Sequence, residues 1–229
     1  MGETKAIIMD LQGTLLENGV YPSPIKQVKY FLRVNRPFQD YVPVFEKSFM
    51  TRSYANLDEA FRQVCVDFNI RVPDFVIEKL VGLWNKNKLL SKPFHDSIEF
   101  LKQAKSHGYK LILVANIDCF SKEVIDKYGF REYFDEVMLS CETGMLKSNP
   151  KFFHEPLARL GVSPDDAVMI GDSFESDVES ARHAGIKAVL IDRNDARDYN
   201  PKVANFQEFI SYLTQGEMNG NQGEEQSSD

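Results

Sequence analysis

Along the chain, short apolar runs alternate with amphipathic stretches of helical length. "KAIIMD" (5–10), "YKLILVA" (109–115), "EVMLS" (136–140), "AVMIGD" (167–172) and "KAVLID" (187–192) each hold three to five consecutive apolar residues. Such runs predict strands buried on both faces. Between the later runs lie "DSIEFLKQAKSHG" (96–108), "SKEVIDKYG" (121–129), "NPKFFHEPLARLG" (149–161) and "ESDVESARHAG" (175–185), each closing on glycine, the usual C-terminal stop. The alternation predicts an α/β fold, a Rossmann-like doubly wound parallel sheet with helices on both faces.

One interval breaks the alternation. From about Glu17 to Pro93 no convincing strand is found, and four helical patterns occupy the space. Inserted after the first strand, they predict a helical cap over the C-terminal sheet edge, where open α/β sheets bind ligands. The expected organisation is a core of residues 1–16 and 94–213, a cap of 17–93, and an acidic disordered tail of 214–229. In the cap, Phe31, Phe45, Phe49, Phe61, Phe68, Phe75 and Trp84 fall at helical spacing and are expected to be mostly bundle core. Arg33, Arg36 and Arg52 are candidates to meet a substrate anion, and Ser121 reads as an N-cap.

Composition narrows the class. A net charge of −7 argues against nucleic-acid or membrane partners, and four of the acids lie in the last sixteen residues. No stretch reads as a signal or membrane span. Three scattered cysteines, Cys65, Cys119 and Cys141, read as reduced thiols of a cytoplasmic protein. Oligomeric state is not legible.

Candidate chemistry collects at strand ends. Asp10 closes the first strand and Asp172 the fourth; Lys147 lies in the loop after the third, and Asp177, five residues after Asp172, in the first turns of the following helix. Parallel strands bring these ends to one crevice. Carboxylates facing each other there repel unless a cation joins them, and Mg²⁺ favours such oxygen ligands together with phosphate. A nearby lysine would neutralise a nucleophile and a bound anion, with Asp177 holding it.

The order of these motifs resembles the haloacid dehalogenase-like (HAD) superfamily. Its first motif reads here as Asp10-Leu11-Gln12-Gly13-Thr14, its second ends in Ala115-Asn116, its third is Lys147, and its fourth is Gly171, Asp172 and Asp177, followed by Ala181, Ala184 and Gly185. The resemblance runs from about residue 5 to 213. It implies a phosphatase-type hydrolase acting on a small phosphorylated molecule, with Asp10 attacking phosphorus to form an aspartyl-phosphate. It also implies Mg²⁺ held by Asp10, the main-chain carbonyl of Gln12 and Asp172. Thr14, Asn116 and Lys147 would bind substrate, with Asp177 in support.

Two positions depart from the family pattern. Gln12 replaces the acid that protonates the leaving group and activates water, a contribution of about 10²–10⁴-fold. Ala115 lacks a hydroxyl for the phosphoryl group, worth roughly 1.5–3 kcal/mol. Attenuated turnover is therefore expected. Two alternatives stay open: a catalytically impaired phosphate-binding protein, and a 2-haloacid dehalogenase-like hydrolase attacking carbon without a metal.

Overall fold

The computed structural model describes residues 4–221. The chain runs β1 (Ala6–Met9), β2 (Leu16–Glu17), α1 (Pro24–Phe31), α2 (Phe38–Met50), α3 (Leu57–Asp67), α4 (Asp74–Leu90) and β3 (Lys92–Pro93). It continues through α5 (Ser97–Ser106), β4 (Lys110–Ala115), α6 (Glu123–Lys127), β5 (Glu136–Leu139), α7 (Ser140–Thr143) and α8 (Lys151–Leu160). Then follow β6 (Ala167–Gly171), α9 (Ser180–His183), β7 (Lys187–Ile191), β8 (Lys202–Val203) and α10 (Phe206–Asn221).

Six parallel strands form one sheet in the order β5-β4-β1-β6-β7-β8. This is the doubly wound α/β arrangement. Strand β1 sits at the switch point, with β4 on one side and β6 on the other, so a crevice opens beyond its C-terminal end. The two-residue period decides the layers. Ile7 and Met9 face Phe100, Phe206 and Phe209 on one side of the sheet, whereas Ala6 and Ile8 face Phe152, Phe153 and Ala181 on the other. Both faces are covered, which is why the strands read as unbroken apolar runs.

Helices α1 to α4 build a core of their own around Tyr41, Phe45, Phe49, Phe61 and Trp84. The Phe49 ring lies 4.8 Å from those of both Phe61 and Trp84. Phe75 departs from the expected bundle core: it is 56% exposed, and the Lys79 ammonium covers its ring. The two connections to the sheet run side by side, Leu16 opposite Pro93 and Glu17 opposite Lys92. That pairing is too short to show as a period-2 pattern.

The segment after Asp172 is not one α-helix. Residues Phe174–Glu179 form a π-helical stretch before α9 takes over. Ser121 is not the N-cap of α6, whose cap position is Lys122; its hydroxyl instead accepts from the Trp84 indole N–H at 3.2 Å. Helix α10 carries helical backbone to Asn221, into the stretch expected as a disordered tail. Residues 222–229 lie outside the described residues. Among the described residues, no helix is long and apolar enough to cross a membrane.

Candidate active site

Asp10, Asn116 and Asp172 each follow directly on the last residue of a neighbouring strand, β1, β4 and β6. The register puts Met9 beside Leu113 and Ile170, so the three side chains start from one edge of the sheet. The loop after β5 and α7 delivers Lys147 to the same place. Its ammonium donates to Asp10 Oδ1 at 2.7 Å and also to Asp177 Oδ1. Lys147 is 3% exposed and Asp177 is fully buried. A lysine has three N–H donors, so one direction stays available for an anion.

Two glycines make this convergence possible. A Cβ on Gly171 would stand 2.3 Å from Asp177 Cγ, and one on Gly13 would stand 2.3 Å from Asp172 Oδ2. Gly13 also has φ +89°, a left-handed conformation. Asp177 is fixed further by the Ser173 N–H, 2.9 Å from its Oδ2. Holding this carboxylate at the start of the turn accompanies the π-helical widening there, a distortion common at functional sites.

Charge is out of balance. Carboxylate oxygens of Asp10, Asp172 and Asp177 lie within 4.8 Å of one another, with the Lys147 ammonium among them. Burial pushes Asp10 up to about 6, and Asp177 adds repulsion, while Lys147 pulls the other way. Asp172 is raised well above the ordinary carboxylate range by burial and by the charges of Asp10 and Asp177. Lys147 is held above its usual value by Asp10 and Asp177, which outweigh its burial. Both Asp177 oxygens are occupied, which leaves Asp10 and Asp172 with oxygens to share. The Gln12 side-chain carbonyl is buried beside them without a partner. A divalent cation fits this donor set: hard, oxygen-only, and short of positive charge.

The remaining expected residues take different places. Asn116 Oδ1 accepts from the Lys147 backbone N–H at 3.0 Å, and its Nδ2 donates to Glu46 at 2.8 Å. Thr14 is fully buried, its hydroxyl is unpartnered, and its carbonyl accepts from Arg193. It is not among the residues lining the cleft, which encloses about 570 Å³ between the sheet edge and the helices. Nor are Arg33, Arg36 and Arg52, the cations expected to meet an anion. Arg36 packs over Phe68 and Arg52 pairs with Asp67. Lys26 and Arg197 line the cleft in their stead; Arg197 also reaches the Asp172 carbonyl.

Glu46 is the residue that motif reading missed. Phe38, Val42, Glu46 and Met50 all line the cleft from α2. Four-residue spacing puts them on one helix face. The signal is a lone acid within an apolar stripe. Burial pushes Glu46 up to about 7; Lys147 and the Asn116 amide oppose the rise, while Asp177 and Asp10 add to it.

A family model described as haloacid dehalogenase-like hydrolase matches residues 4–185. The chain belongs to that family. A glyceraldehyde 3-phosphate phosphatase of Methanopyrus kandleri is 34% identical over 131 residues, 57% of this chain and 56% of that enzyme. One from Methanothermobacter thermautotrophicus is 26% identical over 192 residues, 82% of this chain and 85% of the relative. The crystal structure of a HAD phosphatase from Thermococcus onnurineus superposes with a TM-score of 0.62 at 26% identity, covering 92% of this chain and 98% of that one.

Proposed function

We propose that the chain is a Mg²⁺-dependent phosphatase that hydrolyses a small phosphorylated metabolite through an aspartyl-phosphate at Asp10. The observation that carries the reading is the buried Lys147 ammonium, shared by Asp10 and Asp177 at the edge where Asp172 also arrives. Phosphatases among the similar proteins support the same chemistry. The helices between Pro24 and Leu90 act as a cap on a core of residues 1–16 and 94–213.

Asp10 attacks phosphorus with an oxygen that Lys147 orients, and the third Lys147 donor meets a phosphoryl oxygen. Asp177 fixes the lysine in that line, and Asn116 fixes the lysine's backbone. Asp10, Asp172 and the Gln12 main-chain carbonyl would hold the Mg²⁺, which would offset charge on the phosphoryl oxygens. Nothing at position 12 can give or take a proton. A cleft of about 570 Å³ suits a small metabolite. The three free cysteines favour a reducing compartment, so a cytoplasmic location is proposed.

Steady-state hydrolysis of p-nitrophenyl phosphate and acetyl phosphate, with Mg²⁺ and with a chelator, tests this reading. Turnover should need Mg²⁺ and vanish in Asp10→Asn. An Asp10→Asn protein as fast as the natural one overturns the mechanism. Magnesium-dependent phosphate binding with no turnover would leave a binding protein, and activity in the chelator on a 2-haloacid would leave a dehalogenase.

A further inference from the structure

We propose that Glu46, supplied by helix α2, is the proton donor and acceptor for phosphoryl transfer at Asp10, the task a residue-12 acid would otherwise perform. The assignment rests on the phosphatase reading above. In-line displacement puts the leaving oxygen on the face of phosphorus opposite Asp10. Asp10 stands at the sheet edge, so the opposite wall is the helical one. That wall presents Phe38, Val42 and Met50 around Glu46, together with Trp84 and Asn87 from α4.

The other cleft acids are committed. Asp10 is the nucleophile, and Asp172 sits against Gly13 beside it. Asp177 is bound by Lys147 and the Ser173 N–H. Asp118 accepts from the Trp84 indole at 3.0 Å and from the backbone of Phe120 and Ser121. Glu175 is exposed. Among the described residues, Glu46 has a single hydrogen bond, from the Asn116 amide at 2.8 Å, and that asparagine also accepts from the Lys147 backbone N–H. That tie locates the carboxyl next to the phosphoryl-binding lysine and leaves its other oxygen unclaimed. The apolar stripe raises its proton affinity, so both protonation states are accessible near neutral pH.

The protons balance. Asp10 forms a bond to phosphorus, the ester P–O bond breaks, and the leaving oxygen takes the proton of the Glu46 carboxylic acid. Water then attacks the aspartyl-phosphate and gives its proton to the Glu46 carboxylate. The Asp10–phosphorus bond breaks, and inorganic phosphate leaves with Glu46 protonated again.

The test compares the natural protein, Glu46→Gln, Gln12→Asp and the double variant with Mg²⁺ on p-nitrophenyl phosphate and on β-glycerophosphate. Glu46→Gln keeps the shape and the hydrogen bond from Asn116. It should slow the alkyl ester by about 10²–10⁴-fold. Nitrophenolate needs no proton, so its release should show a stoichiometric burst as the phosphoenzyme accumulates. The limb of the alkyl kcat/KM profile set by Glu46 should disappear, and Gln12→Asp should restore rate in the double variant. Equal losses on both esters confined to KM, or no loss, overturn the assignment alone. Turnover that survives Asp10→Asn removes the phosphatase reading and the assignment with it.

Discussion

At the scale of single residues, the site depends on two absent side chains. Gly171 lets Asp177 lie against the backbone of β6, where its two oxygens take the Lys147 ammonium and the Ser173 N–H. In Gly171→Ala the new methyl would stand 2.3 Å from Asp177 Cγ, so the carboxylate must move and release the lysine. A loss of about 1–3 kcal/mol is expected for such overpacking, read as a lower urea midpoint with unchanged slope. Phosphatase turnover should fall further than stability does. Glu46 yields a second prediction, with its sign set by burial. Its folded value, raised to about 7, means stability linked to the proton is present below the ordinary carboxylate range and is lost as pH rises through about 7. Groups facing it are Lys147, which lowers the value, and Asp177 and Asp10, which raise it. Glu46→Gln should therefore raise the melting temperature near pH 8 more than near pH 5, by differential scanning calorimetry.

At the scale of elements, the helical block and the sheet meet through a buried polar contact between α4 and the loop after β4. The Trp84 indole donates to Asp118 at 3.0 Å and to Ser121 Oγ at 3.2 Å. Asp118 is 2% exposed, and burial holds its carboxyl above the usual range. Trp84→Phe keeps much of the ring stack with Phe49 and Phe61 but leaves that carboxyl one donor short. The expected cost is about 1–3 kcal/mol by urea denaturation, with Asp118→Asn recovering part of it in the double variant. This contact also marks the limit of sequence reading. Strands β1, β4, β6 and β7 were legible because burial on both faces writes itself as unbroken apolar runs. Asp10 and Asp172 were legible because each directly follows a strand that topology must bring to one edge, and Lys147 because it lies in the loop leaving that edge after β5 and α7. Glu46 and the Trp84–Asp118 pair were not, since they join positions 70 and 34 apart in sequence whose meeting depends on how the helices dock. Phe75 shows the same limit: helical spacing put it in the bundle core, yet which face α4 buries is decided by its partners.

At the scale of the whole molecule, the cleft concentrates negative charge that the fold does not neutralise. Lys147 faces Asp10, Asp172 and Asp177, and Asp10 and Asp172 both hold protons more tightly than ordinary carboxylates. Protons and a divalent cation bound there would therefore compete for one site. Proton-linked stability from Asp10 is present below its ordinary range and fades as pH rises through about 6. Above that, a cation bound between the carboxylates should replace what the protons supplied. Mg²⁺ at about a hundredfold over its dissociation constant would add about 2.7 kcal/mol, or about 5–10 °C in melting temperature for a chain of this size. The shift should be large near pH 7.5 and small near pH 5, where protons already occupy the site. Asp172→Asn should melt higher than the natural protein when metal-free and lose the Mg²⁺ shift, because it removes both the repulsion and a ligand. A shift of equal size at both pH values, or one retained in Asp172→Asn, would place the cation elsewhere.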